Sequence, residues 1–204
     1  MHLLKASQDV CAAALRKCGF TAKLRGSLLQ PRADDAVTGW LALRFATSGL
    51  PAEVRANPVV GVRHIRVEKA FIELLGGDAP IPTLSLPLRD LIPRRTVVRW
   101  DFRAGTDLNA TAKGLARNVS DYGLPFIDRW ADWRVLSRDI EQSGLIVDCD
   151  SWSPLPIILA LAGNHSRARQ LVDERLVRYA GRSHVYAAAY REFAAKFSTW
   201  ISTQ

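Results

Sequence analysis

Helical periodicity is clearest between residues 107 and 143. Leu108, Ala112, Leu115, Val119 and Tyr122 recur at helical spacing and project within one narrow sector. Thr106 or Asp107 is placed to cap that helix. Gly123 is placed to stop it, and Pro125 to open the next. In the next helix Phe126, Trp130, Trp133 and Ile140 share one face, with Leu136 beside them, while Asp128, Asp132 and Asp139 take the opposite face. The pattern predicts an αα-hairpin with two apolar stripes. Its tryptophans are expected to bury against Val98, Trp100 and Phe102 of a sheet.

The rest of the chain alternates between the two periods. Residues 8–18 predict a first helix capped by Ser7, with Val10, Cys11, Ala14, Leu15 and Cys18 on one face and Gly19 as its stop. Period-two alternation predicts strands over residues 21–29 and 37–45, joined through Pro31, Arg32, Ala33, Asp34 and Asp35 into an antiparallel hairpin. Residues 48–58 hold Gly49, Pro51 and Pro58 and read as loop. Residues 62–75 place Val67, Ala70, Phe71 and Leu74 at helical spacing, ended by Gly76, Gly77 and Asp78, with Pro80 and Pro82 barring resumption. The alternation of Val60, Val62 and His64 offers a strand ending near Arg66 as the alternative for the first part.

Two further strands are predicted. Residues 83–88 align Leu84, Leu86 and Leu88, with Pro87 marking an edge, and residues 95–103 align Thr96, Val98, Trp100 and Phe102. Residues 142–156 are rich in Gly, Asp, Ser and Pro and form the best boundary. Beyond it three helices are expected, over residues 155–162, 166–179 and 184–201, the last carrying Tyr186, Tyr190, Phe193, Phe197 and Trp200. The phrase LALAGNHSRARQLVDERL is similar to one helix-turn-helix unit of tetratricopeptide type, and no second copy follows at a period of about 34. The expected architecture is α+β: an antiparallel sheet of about four strands packed on helices, followed by a helical C-terminal extension. Residues 1–143 would form the α+β domain with its hairpin, and residues 155–204 the extension.

Composition narrows the function only a little. A formal net charge of +8 points towards acidic partners, but the basic residues are scattered and form no tract. Cys11, Cys18 and Cys149 are an odd number at wide spacing, which argues against a disulfide framework or a zinc ribbon and fits a reducing cytoplasm. The N-terminus breaks its apolar character at Ser7, Gln8 and Asp9, so no signal-peptide core is expected. The most apolar run, residues 155–163, is far shorter than the roughly 20 residues of a membrane span. The four histidines, His2, His64, His165 and His184, have no metal-ligand spacing, and no nucleotide-binding or nucleophile motif occurs. Neither a metal nor a cofactor is expected. The carboxylate pairs Glu68 with Glu73 and Asp128 with Asp132 read as solvated faces. An enzyme would need a site assembled from scattered residues, such as His64 with Glu68.

One constellation does suggest binding. If the strands form one sheet, Lys23, Arg25, Arg44, Arg95, Arg99 and Arg103 share the face opposite the apolar one, and Trp40 lies among them. Such a platform would meet an acidic protein surface or phosphates, with Trp40 as a stacking or anchoring side chain. The expected function is therefore that of a non-enzymatic cytoplasmic accessory protein binding another macromolecule, an immunity or defence-type role being one version. The expected partner is a protein with an acidic surface, the alternative partner is nucleic acid, and no membrane is involved.

The segment GVRHIRVEKAFIELLGG, the later RWDF and the stretch YGLPFIDRWADWRVL resemble a bacterial family of small proteins defined only as a domain of unknown function. An N-terminal helix ending in Gly19-Phe20 fits the same pattern. The resemblance spans about residues 8–143 and implies helix, strands, and then a helix leading into a Gly-x-Pro-Phe segment. It implies no activity and no catalytic residue.

Overall fold

A computed structural model describes residues 3–24, 26–32, 36–48, 53–76, 82–93, 98–146 and 153–204. The chain divides into two units, Met1–Arg63 with Leu84–Asp132, and His64–Thr83 with Trp133–Gln204. The division differs from the expected 1–143 and 155–204, because the mainly helical unit also draws on the middle of the chain.

The first unit opens with α1 (Leu3–Arg16), which begins ahead of the expected cap. Ser7 lies inside the helix, buried, and its hydroxyl donates to the Leu3 carbonyl at 2.9 Å. Among the described residues the strands are β1 (Ala22–Leu24), β2 (Ser27–Pro31), β3 (Val37–Ala42), β4 (Phe45–Ser48), β5 (Glu53–Ala56), β6 (Val59–His64), β7 (Leu84–Pro87) and β8 (Trp100–Arg103). Both early strands expected from alternation are split. Residues 21–29 turn back on themselves, with Leu24 opposite Ser27 and Gly26 at φ +80° in the turn, a conformation that only glycine takes without cost. Residues 37–45 break after Ala42, at Arg44, which has φ +39°.

The break at Arg44 produces two sheets instead of the single one expected. Among the described residues one sheet runs β1-β2-β3-β6-β7 and the other β4-β5-β8. The expected hairpin of β2 and β3 forms, with Gln30 opposite Gly39, although its tip at 33–35 lies outside the described residues. The stretch read as loop contains β5, which pairs with β4 on one side and with β8 on the other. Of residues 62–75, the first part is strand β6, paired with β7 through Val62 and Leu84, so the strand alternative holds there. The expected Gly77, Asp78 and Pro80 punctuation, the start of the strand at Arg95, and Cys149 lie outside the described residues.

The expected αα-hairpin is not formed. Helix α4 (Leu108–Asn118), capped by Asp107 through the Asn109 and Ala110 N–H groups at 2.9 and 3.1 Å, runs on without a stop. It passes through a π-helical turn, Val119–Gly123, directly into α5 (Leu124–Ala131). Gly123 is helical at φ −74° and ψ −46°, so it does not act as a stop. Its role is packing: a Cβ there would lie 3.2 Å from Val60 Cγ1 and 3.6 Å from Leu88 Cδ1, the latter at the start of the short helix α3 (Leu88–Leu91). Pro125 lacks an N–H and crowds the carbonyl one turn back, and the widened turn ahead of it relieves that crowding.

The helix ends at Asp132, whose backbone is extended at φ −69° and ψ 115°. Aspartate is a poor interior helix residue because its carboxylate competes for nearby backbone N–H groups. Trp130, 3% exposed, therefore belongs to the core of the first unit, while Trp133 opens α6 (Trp133–Ser143) in the second. The shared tryptophan stripe and the acidic back face are both divided there; Asp128 pairs with Arg32 at 2.8 Å. Within the first unit α4 packs on α1 and β8, and α5 seats on β3, where Gly39 admits Ile127.

The second unit contains α2 (Ile65–Leu75), α6, α7 (Pro154–Leu161), α8 (His165–Arg178) and α9 (Val185–Ile201). The three C-terminal helices match those expected from the sequence. Helix α7 is apolar all round, buries Ile157, Ile158, Leu159 and Ala160, and is surrounded by α2, α6 and α8. Along α9, Tyr190, Phe193, Phe197 and Trp200 form a ladder with ring centroids 5.5 to 5.7 Å apart. Trp200 Nε1 donates to Glu73 Oε2 at 3.2 Å, tying α9 to α2. Arg167 joins Glu141 of α6 to Glu174 of α8. Among the described residues no helix is long and apolar enough to cross a membrane.

Two glycines on one continuous helix should respond in opposite ways. Gly114→Ala meets no atom within 4 Å, and should raise unfolding free energy by about 0.5–1 kcal/mol through helix propensity. Gly123→Val forces Val60 and Leu88 apart and should lower it by about 1–3 kcal/mol. Urea denaturation of both variants checks the pair.

Cys11 on α1 is fully buried, and burial pushes its thiol up to about 12. The unfolded thiol ionises near 9, so deprotonation favours the unfolded chain at alkaline pH. Stability attributable to Cys11 should be intact below pH 9 and decline as pH rises from 9 towards 12. Subtracting the pH–stability profile of Cys11→Ala from that of the wild type isolates this contribution.

Candidate anion-binding site

The residues expected to form one basic face go to different places. Lys23 is exposed on β1, in the five-stranded sheet. Trp40 is only 5% exposed and belongs to the core, so it presents no surface for stacking. Sequence alternation assigned it to the outer face, but the sheet is covered on both sides at β3. Arg103 is exposed on β8, in the other sheet, and its guanidinium pairs with Glu53 at 2.7 Å. Arg25 and Arg95 lie outside the described residues. Among the described members of the set, Arg44 and Arg99 come together, on a concave wall of the first unit.

That wall bounds a groove of about 490 Å³, within the usual range of ligand sites. Among the described residues its basic side chains are Arg44, Arg55, Arg89 and Arg99, and no carboxylate lines it. They come from separate pieces of chain: the corner between β3 and β4, strand β5, helix α3, and the residue before β8. The walls between them are apolar, formed by Pro58, Val59, Pro87 and Val98. Trp100 also lines the groove, and its buried indole N–H has no acceptor among the described residues. A buried donor without a partner is costly.

The four arginines are not equivalent. Arg55 sits in a cross-strand ladder in which it faces Asp101 and Glu53 faces Arg103. Its Nε lies 2.6 Å from Asp101 Oδ1, and its Nη2 lies 3.0 Å from Glu53 Oε1. The hydrogen bond that Arg55 donates to Asp101 is the main cause that raises its guanidinium pKa, so the charge of Arg55 is already compensated. Arg89 has a neighbour in Asp90 at 3.5 Å, with both side chains largely in water. Arg44 and Arg99 are exposed and have no ion pair among the described residues. They supply the groove's uncompensated positive charge.

Arg44 is also the one non-glycine residue with positive φ among those described. Its carbonyl accepts from the Asn57 backbone N–H at 3.0 Å and from Asn57 Nδ2 at 3.4 Å, and the Leu43 carbonyl accepts from the same N–H at 3.0 Å. Asn57 thus holds the corner in a conformation that a side chain resists. Sequence reading missed Arg55, Asn57 and Arg89. The Glu-Val-Arg-Ala alternation of β5 is a strand signal, but it is only four residues long and lies inside the proline- and glycine-containing stretch read as loop.

The alternative site fails on space. His64 is 1% exposed, its ring meeting Trp133 edge-on at 5.7 Å, with Arg66 over the Trp133 ring at 4.3 Å. The cavity beside Glu68 is about 20 Å³, too small for a substrate, and His64 does not line it. Among the described residues no group of three or more His, Cys, Asp or Glu is arranged to hold a metal ion.

No family model, no curated protein and no solved structure matches the chain.

Backbone strain at Arg44 can be separated from its charge. Arg44→Gly should stabilise the fold by about 0.5–1 kcal/mol, the left-handed penalty less the entropy cost of glycine. Arg44→Ala keeps the strain and should change stability by less than about 0.5 kcal/mol. Urea midpoints of the two variants check this.

Proposed function

We propose that this protein is a non-enzymatic binding protein that captures an anionic segment of another macromolecule in the groove between Arg44 and Arg99. The observation that carries the reading is the pair of exposed arginines that have no ion-pair partner among the described residues, on a concave wall whose described lining holds no carboxylate. Surface arginines are ordinarily solvated or paired; two unpaired ones facing one hollow concentrate positive potential where a ligand would enter. The chain's net charge of +8 adds long-range attraction to the same end. The reading sets the protein in the cytoplasm, as its cysteine pattern suggests.

Polyglutamate and a single-stranded oligonucleotide, each fluorescently labelled, are suitable polyanions for a titration at several salt concentrations. Binding of at least one is expected, weakening steeply with salt. Arg44→Ala combined with Arg99→Ala should cost about tenfold or more in affinity. Lys23→Ala combined with Arg103→Ala should leave binding nearly unchanged. If the second pair weakens binding as much as the first, the groove is not the site.

A further inference from the structure

We infer that the segment held in this groove is single-stranded nucleic acid, with a phosphodiester on Arg44 and Arg99 and the adjoining base against the Pro58, Pro87 and Val98 wall. The inference rests on the anion-binding reading and names its ligand.

Three observations favour a nucleotide strand over an acidic peptide. The first is the balance of donors and acceptors. Arginine and indole side chains donate only, and among the described lining residues Asn57 is the one side chain with an acceptor oxygen. An extended peptide would bring its own backbone N–H groups into a groove whose side chains offer them little. A phosphodiester strand brings acceptor oxygens at every repeat, and its base edges can face water. The second is direction. The arginines reach the groove from separate elements, the β3–β4 corner and the approach to β8 among them, so donors converge from several sides. Tetrahedral phosphate accepts from several directions, whereas a carboxylate accepts best in its own plane. The third is the apolar wall. Proline and valine surfaces offer a flat base apolar van der Waals contact that does not depend on which base it is. An aspartate or glutamate side chain has no such surface to place there. A duplex would present only its backbone and leave that wall wet.

The strain at Arg44 points to the same use. A residue held in the left-handed region by Asn57 persists when its direction matters. Here it sets one of the two unpaired guanidinium groups on the rim of the hollow.

Fluorescence anisotropy on the full chain tests the inference with three labelled probes of equal charge: oligothymidylate of about a dozen nucleotides, the abasic strand of the same length, and polyglutamate. Oligothymidylate is expected to bind about tenfold more tightly than the abasic strand. It should also bind more tightly than polyglutamate, and lose about tenfold or more in Arg44→Ala combined with Arg99→Ala. Arg44→Gly, which relieves the backbone, should weaken oligothymidylate binding in a protein that melts no lower than wild type. Equal affinity for oligothymidylate and the abasic strand would overturn the base-on-wall placement. Tight polyglutamate binding that the double variant abolishes, with weak oligothymidylate binding, would overturn the nucleic-acid ligand while leaving the anion groove in place. No binding of any probe at low salt would overturn both.

Discussion

In the first unit, the chain leaves one sheet and enters another at Arg44. That change of sheet depends on two donors of Asn57, the backbone N–H and the side-chain amide, which hold the Arg44 carbonyl while its backbone sits at φ +39°. Without the corner, residues 37–45 would be one strand and β4, β5 and β8 would have no sheet of their own. The groove's arginines would then be strung along a flat face. With the corner, Arg44 is turned to share a hollow with Arg99, and the ladder of Glu53, Arg55, Asp101 and Arg103 fixes the strands behind it.

The long helix is a second place where backbone geometry outranks local signals. Gly-Leu-Pro at 123–125 has the chemistry of a stop followed by a start, yet α4 continues through a π-helical turn into α5. A tertiary contact favours glycine there: Gly123 lies against Val60 and Leu88, and a Cβ would crowd Val60 Cγ1 at 3.2 Å. The end of the helix falls at Asp132 instead, so two tryptophans three residues apart serve different units. Trp130 fills the core of the first, and Trp133 lies under Arg66 and beside His64 in the second.

Charge at the groove is decided by pairing more than by number. Arg55, which lines the groove, and Arg103, which does not, are satisfied by Asp101 and Glu53 within the β5–β8 ladder. Arg44 and Arg99 have no such carboxylate. A count of basic residues along the strands treats all of them alike, and for that reason the expected platform included Lys23 and Arg103 as readily as the two that meet.

The sequence by itself determined the α+β class, the N-terminal helix, the β2–β3 hairpin, β7, α4 with a cap at Thr106 or Asp107, and the three C-terminal helices. These elements announce themselves through periodicity and capping, which act within a few residues. It also singled out Arg44 and Arg99, though for a flat face. Only the tertiary structure decided that Arg44 is a corner, that Glu53–Ala56 is a strand, that Trp40 is core, and that Arg55 and Arg89 join the groove. Each of those depends on which distant segment lies alongside: Asn57 on Arg44, Phe102 opposite Val54, and helix α5 on β3. Alternation says that a side chain has two faces to choose from; it does not say that both will be covered. Pairing and burial are set by contacts remote in sequence, and those fixed the shape of the site.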